Sequence, residues 1–156
     1  MNNTRAEGEY FMLRSTDFRF EKVTFKGKYS FQYAENGTIE DSMLDTKDAF
    51  WHSKNVTVRN STVKGEYLAW YSENLTLVNC KIIGTQPFCY CKNLTLVNCE
   101  MLDTDLSFEK SEVNASITTP VISIKNPAAG RITVPAVDEL ILTDEKAKAE
   151  IIIGNT

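Results

Sequence analysis

A single histidine, His52, stands in 156 residues, which rules out a zinc site built on two or three imidazoles. The four cysteines, Cys80, Cys89, Cys91 and Cys99, contain no C-x-x-C pair, so the thiolate frameworks of zinc ribbons and thioredoxin-like redox centres are excluded too. No metal and no cofactor are expected. Lysine and arginine are nowhere clustered, and 17 basic against 21 acidic residues leave a net charge of −4. That balance gives no electrostatic footprint for nucleic acid. Apolar runs are too short to span a bilayer and no leader-like segment precedes Tyr10, so the expectation is a cytoplasmic protein with reduced thiols and no membrane contact. Also missing is any apolar stripe at the 3.6-residue period of an amphipathic helix.

What is present is a repeat. From residue 10 to residue 123 the chain divides without a gap into segments of 19 residues, among them DAFWHSKNVTVRNSTVKGE, YLAWYSENLTLVNCKIIGT and QPFCYCKNLTLVNCEMLDT. A period near 20 means a stacked solenoid, in which each repeat forms one layer of a continuous core. Within each segment Val56/Val58, Leu75/Leu77 and Leu94/Leu96 alternate with Thr57, Thr76 and Thr95, the period of a strand buried on one face. Asparagine recurs at Asn36, Asn55, Asn74 and Asn93, and again at Asn60, Asn79 and Asn98. Asparagine accepts left-handed backbone, so both columns mark corners, and Gly27, Gly65 and Gly84 suggest a third. The Asn-x-Thr sequons at these corners follow from the repeat alone.

Three corners and three short strands describe a right-handed parallel β-helix, a single-stranded all-β solenoid of 19-residue coils. The L-x-x-L-x-L frame of leucine-rich repeats is absent, and 19 is not a multiple of the hexapeptide of left-handed helices. Val63, Ile82 and Met101 join the alternating valines and leucines as expected core. Cys80 and Cys99 share a repeat position with Ser42 and Ser61, which calls for a small buried residue. Residues 1–123 are expected to form the coils, the first incomplete, and residues 124–156 an irregular C-terminal cap of short strands at 131–134, 139–142 and 150–153. Residues 143–146 fit either a tight connection or one capped helical turn.

The coils YLAWYSENLTLVNC and DAFWHSKNVTVRNS, followed by FEKSEVNASI and SIKNPAAGRI, resemble the C-terminal half of an uncharacterised bacterial family of pectin-lyase-like β-helix proteins, a domain of unknown function. The resemblance extends over nearly the whole chain, including the non-repetitive tail. It implies the fold, and further coils on the N-terminal side of those present here. It carries over no catalytic residues.

Chemistry could sit on the aromatic stretch before each Asn corner. Its most polar column is Arg14, Tyr33, His52, Tyr71, Tyr90 and Glu109, one residue per coil. Beside it run Leu13, Gln32, Trp51, Trp70, Cys89 and Phe108. Strand parity turns the polar column outward and the Trp51/Trp70 column inward. An outward ladder of rings can meet sugars or the apolar side chains of a partner, or simply brace the sheet. Acids gather at the third corner, as Asp45, Asp48, Glu66, Asp103 and Asp105, with Asp48 nearest His52 in sequence. Such charges at an outer corner ordinarily form a solvated edge. The expectation is therefore a non-catalytic scaffold or binding module presenting its aromatic face to a partner protein or a glycan. The alternative is a carbohydrate-active enzyme or glycan-binding protein of the pectin-lyase-like type, which rests on fold analogy.

Counting back from Tyr10, residues 3–9 fall on the phase of residues 60–66, and Met1 on that of Val58. An end without a cap leaves Met1, Phe11, Leu13, Phe18 and Phe20 under a partial layer. Unpaired parallel strand edges are templates for another chain, so a homo-oligomer joined through this end is expected.

Overall fold

The computed structural model describes residues 1–154 and contains strands and turns without a helix. In chain order the strands are β1 (Arg5–Glu9), β2 (Thr16–Glu21), β3 (Thr24–Lys28), β4 (Glu35–Glu40), β5 (Met43–Lys47), β6 (Lys54–Arg59), β7 (Thr62–Lys64) and β8 (Glu73–Val78). They continue as β9 (Lys81–Ile83), β10 (Leu94–Leu102), β11 (Glu112–Ile117), β12 (Val121–Lys125), β13 (Ala129–Val134), β14 (Val137–Ile141) and β15 (Glu150–Ile153). Every pairing is parallel, and the chain winds as a β-solenoid of about eight turns. Partners such as Val58 and Leu77 lie 19 residues apart.

Each regular coil has two strand sides and one side of another kind. On the first side β2, β4, β6, β8, β10 and β11 stack, burying Phe20, Ile39, Val58, Leu77, Leu96 and Ala115 in one column. On the second, β1, β3, β5, β7, β9 and the end of β10 bury Phe25, Leu44, Val63, Ile82 and Met101. The expected core residues are all buried. The corner asparagines all have positive φ, between 51° and 58°, the conformation their short polar side chains tolerate. Asn36, Asn55, Asn74 and Asn93 also bond one another in a ladder, the Nδ2 of each of the last three donating to Oδ1 of the Asn one coil earlier. Ser61 Oγ accepts from the Ser42 amide, while Cys80 and Cys99, at the same repeat position, donate Sγ–H to carbonyls of the preceding coil. That position takes a small side chain able to bond the backbone, which explains the exchange of Ser for Cys. All four cysteines are free and buried.

The third side is not a strand. In residues 10–14, 29–33, 48–52, 67–71 and 86–90 every second residue has positive φ, as in Asp48, Phe50 and His52. Amides alternate in direction accordingly: Phe50 N–H donates to Ser30 of the coil before, and His52 N–H to Trp70 of the coil after. This turn-rich side replaces the third strand inferred from the sequence. It also shifts the third corner, because Gly27 lies inside β3, where a Cβ would collide with the Gly8 carbonyl, while Gly84 does turn the chain at φ 135°.

The 19-residue period fails late in the chain for two reasons. Positive φ at Leu106, Phe108 and Lys110 matches Gln86, Phe88 and Tyr90 twenty residues earlier, so one residue has been inserted. The insertion is removed again where no Asn corner follows Ser111, and Leu94 pairs with Val113 at 19 residues. Thereafter the second side shrinks to residues 118–120, β11 meets β13 at a spacing of 17, and β12 meets β14 at 16. The tail strands extend the same stack, β13 and β15 on the first side and the β12–β14 pair on the third. Residues 155–156 of the expected cap lie outside the described residues. The segment 143–146 is a tight connection, held by Asn126 Oδ1 accepting from the amides of Thr143 and Asp144.

Candidate functional site

The third side carries the aromatic residues, and its alternating backbone sorts them into columns by depth. Met12, Phe31, Phe50, Ala69, Phe88 and Phe108 form the innermost column, with Phe31 and Phe50 stacked at 4.8 Å. The expected inward column of Trp51 and Trp70 is instead half-buried, because a backbone alternating between right- and left-handed conformations does not follow strand parity. The indoles lie parallel at 5.2 Å, and each Nε1–H donates to a backbone carbonyl one coil on, Trp51 to Tyr67 and Trp70 to Gln86. Gln32 does the same to the Asp48 carbonyl. The column exists to satisfy carbonyls that the turn-rich backbone leaves without an amide partner.

The polar column faces out as expected. Tyr33 and Tyr71 are 41% and 47% exposed. The Arg14 guanidinium lies 4.7 Å from the Tyr33 ring centre. From there the rings run without a break: Tyr33 to His52 at 4.8 Å, His52 to Tyr71 at 5.0 Å and Tyr71 to Tyr90 at 4.9 Å, all within 15° of parallel. Because each ring covers the face of the next, the stack shows solvent its edges, hydroxyls and imidazole nitrogens rather than open ring faces.

Glu109 is not the next rung. After the inserted residue, Lys110 occupies the position of Tyr90, and Glu109 that of Cys89. Glu109 stays near the ladder, 3.4 Å from Lys125 Nζ. Burial, and then the charge of Glu109, push the Tyr90 phenol above its ordinary value.

A second outer column lies at the first residue of each turn-rich segment: Tyr10, Tyr29, Asp48, Tyr67, Gln86 and Leu106. Tyr10 and Tyr29 stack at 5.0 Å, and Tyr67 sets its edge against Trp70 at 5.5 Å. Sequence reasoning passed over this column, although the tyrosines recur at a fixed phase of the repeat and could have revealed it. Asp48 interrupts it. Its Oδ1 is buried without a hydrogen-bond partner, and its pKa is raised by burial, which the charge of Glu66 reinforces and that of Lys47 opposes.

The acids of the third corner do not gather into one cluster. Asp45 and Glu66 line a shallow groove of about 330 Å³ with Lys28, Lys47 and Lys64, Asp103 is exposed, and Asp105 accepts a hydrogen bond from Thr85. His52 has both faces covered by tyrosines and makes no hydrogen bond to Asp48 among the described residues. No three His, Cys, Asp or Glu side chains gather into a metal-binding group among the described residues.

At the N-terminal end, Met1 and Leu13 are exposed, whereas Phe11 is half-buried against Phe20, Phe25 and Phe31. Phe18 and Phe20 are buried and do not reach the surface, since Phe18 fills the space left by Gly37 and Phe20 sits beneath Phe11. No helix of the described residues is long and apolar enough to cross a membrane.

A repeat of this period, wound into a parallel solenoid with one aromatic side, defines a β-solenoid protein. The chain belongs to the family described as protein of unknown function (DUF3737), which matches residues 1–153. No curated protein and no solved structure matches it.

Proposed function

We propose that this chain is a non-catalytic binding module whose aromatic side docks a partner protein. The observation that carries the reading is the outward stack from Arg14 through Tyr33, His52 and Tyr71 to Tyr90. Its rings are held in parallel register by the solenoid backbone, so little side-chain freedom is lost on binding. Exposed edges and hydroxyls suit contact with backbone and polar groups of a protein surface, and rigid tyrosines are the residues interfaces favour. The acids that share a groove at the third corner, Asp45 and Glu66, lie among Lys28, Lys47 and Lys64, an edge of mixed charge rather than the isolated carboxylate pair that glycosidic chemistry uses. We place the module in the cytoplasm, in keeping with four reduced, buried thiols.

The pectin-lyase-like alternative, a glycan binder or a polysaccharide-degrading enzyme, draws on the same side. Sugars stack on open ring faces, and in the ladder those faces already cover one another. A glycan array probed with the protein and its Tyr71→Ala and Tyr90→Ala variants separates the two. The protein-binding reading expects no saccharide signal that the substitutions abolish. Such a signal, or turnover of acidic polysaccharide dependent on calcium or on Asp48, overturns it.

Self-association belongs to the same proposal. The exposed Met1 and Leu13, and the half-buried Phe11, offer an apolar surface at the first coil, most simply paired in a two-fold dimer. Light scattering on dilution should show dimer dissociating to monomer, with Leu13→Glu monomeric throughout. A monomer at all micromolar concentrations removes this part of the reading.

A further inference from the structure

Beside the ring ladder runs a second column, and its charges alternate. Two residues after each ring stand Glu35, Lys54, Glu73 and Lys92, and Glu112 continues the column one coil on. Backbone pairing sets each against the next, Glu35 with Lys54, Lys54 with Glu73 and Glu73 with Lys92. Opposite charges one coil apart can pair in this fold, as Arg59 does with Glu40 at 3.6 Å. Yet no ion pair joins the members of this column among the described residues. All five side chains are exposed or half-buried. The column therefore offers solvent an alternating row of free charges next to four rings.

An alternating row is its own complement once it is turned round. Laid against a parallel copy, each residue meets itself, glutamate on glutamate. Reversed by a two-fold axis that crosses the coils and passes between two of them, each residue meets its opposite. The charges alone permit two such axes. With the axis between the coils of Lys54 and Glu73, Glu35 faces Lys92 of the second copy and Lys54 faces Glu73 of the second copy. With the axis one coil later, Glu73 faces Lys92 and Lys54 faces Glu112. The rings decide between them. The first axis also bisects the ladder, so that Tyr33 meets Tyr90 and His52 meets Tyr71. The second sets His52 against Lys110. In the first arrangement only the outermost positions, Arg14 and Lys110, bring like charges together, and Glu109 and Glu112 flank that lysine in sequence.

We propose that the aromatic side binds a second copy of this chain, antiparallel and two-fold symmetric, with ring edges meeting at its centre and the charges of Glu35, Lys54, Glu73 and Lys92 paired across it. This rests on the protein-docking reading of the aromatic side and names the partner as this same chain. Aromatic residues in the middle with charges alongside follow the usual anatomy of an interface, and the charges set register more than they supply affinity. Ion pairs exposed to water contribute little each. The contact therefore belongs to the weak class and forms at roughly 0.1–1 mM, above the micromolar range in which the first-coil contact is read.

The test is zero-length carbodiimide crosslinking of the full chain at about 1 mM, as an equal mixture of unlabelled and nitrogen-15-labelled protein, read by peptide mass spectrometry. Within one chain Glu35 and Lys92 stand three coils apart, about 14 Å at strand spacing, too far for a direct amide bond. A Glu35–Lys92 product carrying one light and one heavy peptide is expected. Lys54→Glu or Glu73→Lys alone sets like charges face to face twice in the dimer and should lower its yield by about tenfold. The double variant restores opposite charges and should restore the yield. If either reversal does not fold by circular dichroism, Lys54→Gln and Glu73→Gln, which remove the charge without reversing it, should each lower the yield by about threefold. No mixed-isotope Glu35–Lys92 product, a Lys54–Glu112 product in its place, a double variant no better than the single ones, or glutamine variants equal to the parent overturns the proposal. Photocrosslinks from Tyr33 and Tyr71 to a protein of another mass, without the Glu35–Lys92 product, would overturn it and leave the docking reading standing.

Discussion

Replacing Asn74 with alanine separates the two forces that hold a corner of this solenoid. Asn74 sits at φ 53°, donates Nδ2–H to Asn55 Oδ1 at 2.9 Å and accepts from Asn93 Nδ2 at 2.6 Å. Alanine in left-handed backbone costs roughly 1–2 kcal/mol. Both ladder bonds are exposed, so their loss falls at the low end of the usual range, about 0.5 kcal/mol each. Asn74→Ala should therefore destabilise by about 2–3 kcal/mol. Asn74→Gly loses the same bonds but meets no penalty from a Cβ, and only its extra unfolded-state freedom, about 0.5–1 kcal/mol, is added. It should destabilise by about 1.5–2 kcal/mol, less than alanine does. Urea unfolding followed by far-UV circular dichroism, with both variants at constant slope, gives the comparison. An alanine variant as stable as the glycine variant would refute the strain argument, and two variants indistinguishable from the parent would refute the ladder as well.

Leu77→Ala, which empties part of the buried first-side column, should cost about 2–5 kcal/mol in the same unfolding assay, whereas Lys64→Ala on the exposed second side should stay within about 0.5 kcal/mol. Asp48 carries a pKa raised in the folded state, so its contribution to stability is fully present below the unfolded value near 3.8 and is lost as pH rises through the folded value. Asp48→Asn should therefore gain stability over the parent at pH 7 and lose that advantage on acidification, measured by melting temperature against pH. Burial pushes the thiols of Cys80 and Cys91 up to about 11 and that of Cys89 up to about 12. Ellman's reagent at pH 8 should label none of the four cysteines until denaturant is added, and stability should fall as pH rises from about 9 toward 11.

Much of the fold can be read in the residues because a solenoid writes its geometry once per coil. Val58, Leu77 and Leu96 announce a buried strand column by alternation, and Asn55, Asn74 and Asn93 announce a corner because few other residues accept that backbone. The aromatic side is harder. Phe50, Trp51 and His52 carry no signal that distinguishes a pleated strand from alternating left- and right-handed turns, since aromatic residues favour strands by ordinary propensity. The depth of the tryptophans depends on that backbone, and so does the carbonyl that each indole binds. Counting 19 places Glu109 in the ladder, and that count holds only while no coil gains a residue. The missing Asn after Ser111 was the visible sign that the phase had slipped. Asp48 stands out in the sequence as an acid among tyrosines of one phase, but its buried, unpartnered oxygen does not.

The most direct test of the docking reading is photocrosslinking in the cell from single p-benzoylphenylalanine substitutions at Tyr33, Tyr71 and, on the outward face of the first side, the half-buried Thr57. The reading predicts a discrete protein adduct of the same mass from Tyr33 and Tyr71 and none from Thr57. Adducts of equal yield from all three positions, or none from the aromatic side, would contradict it.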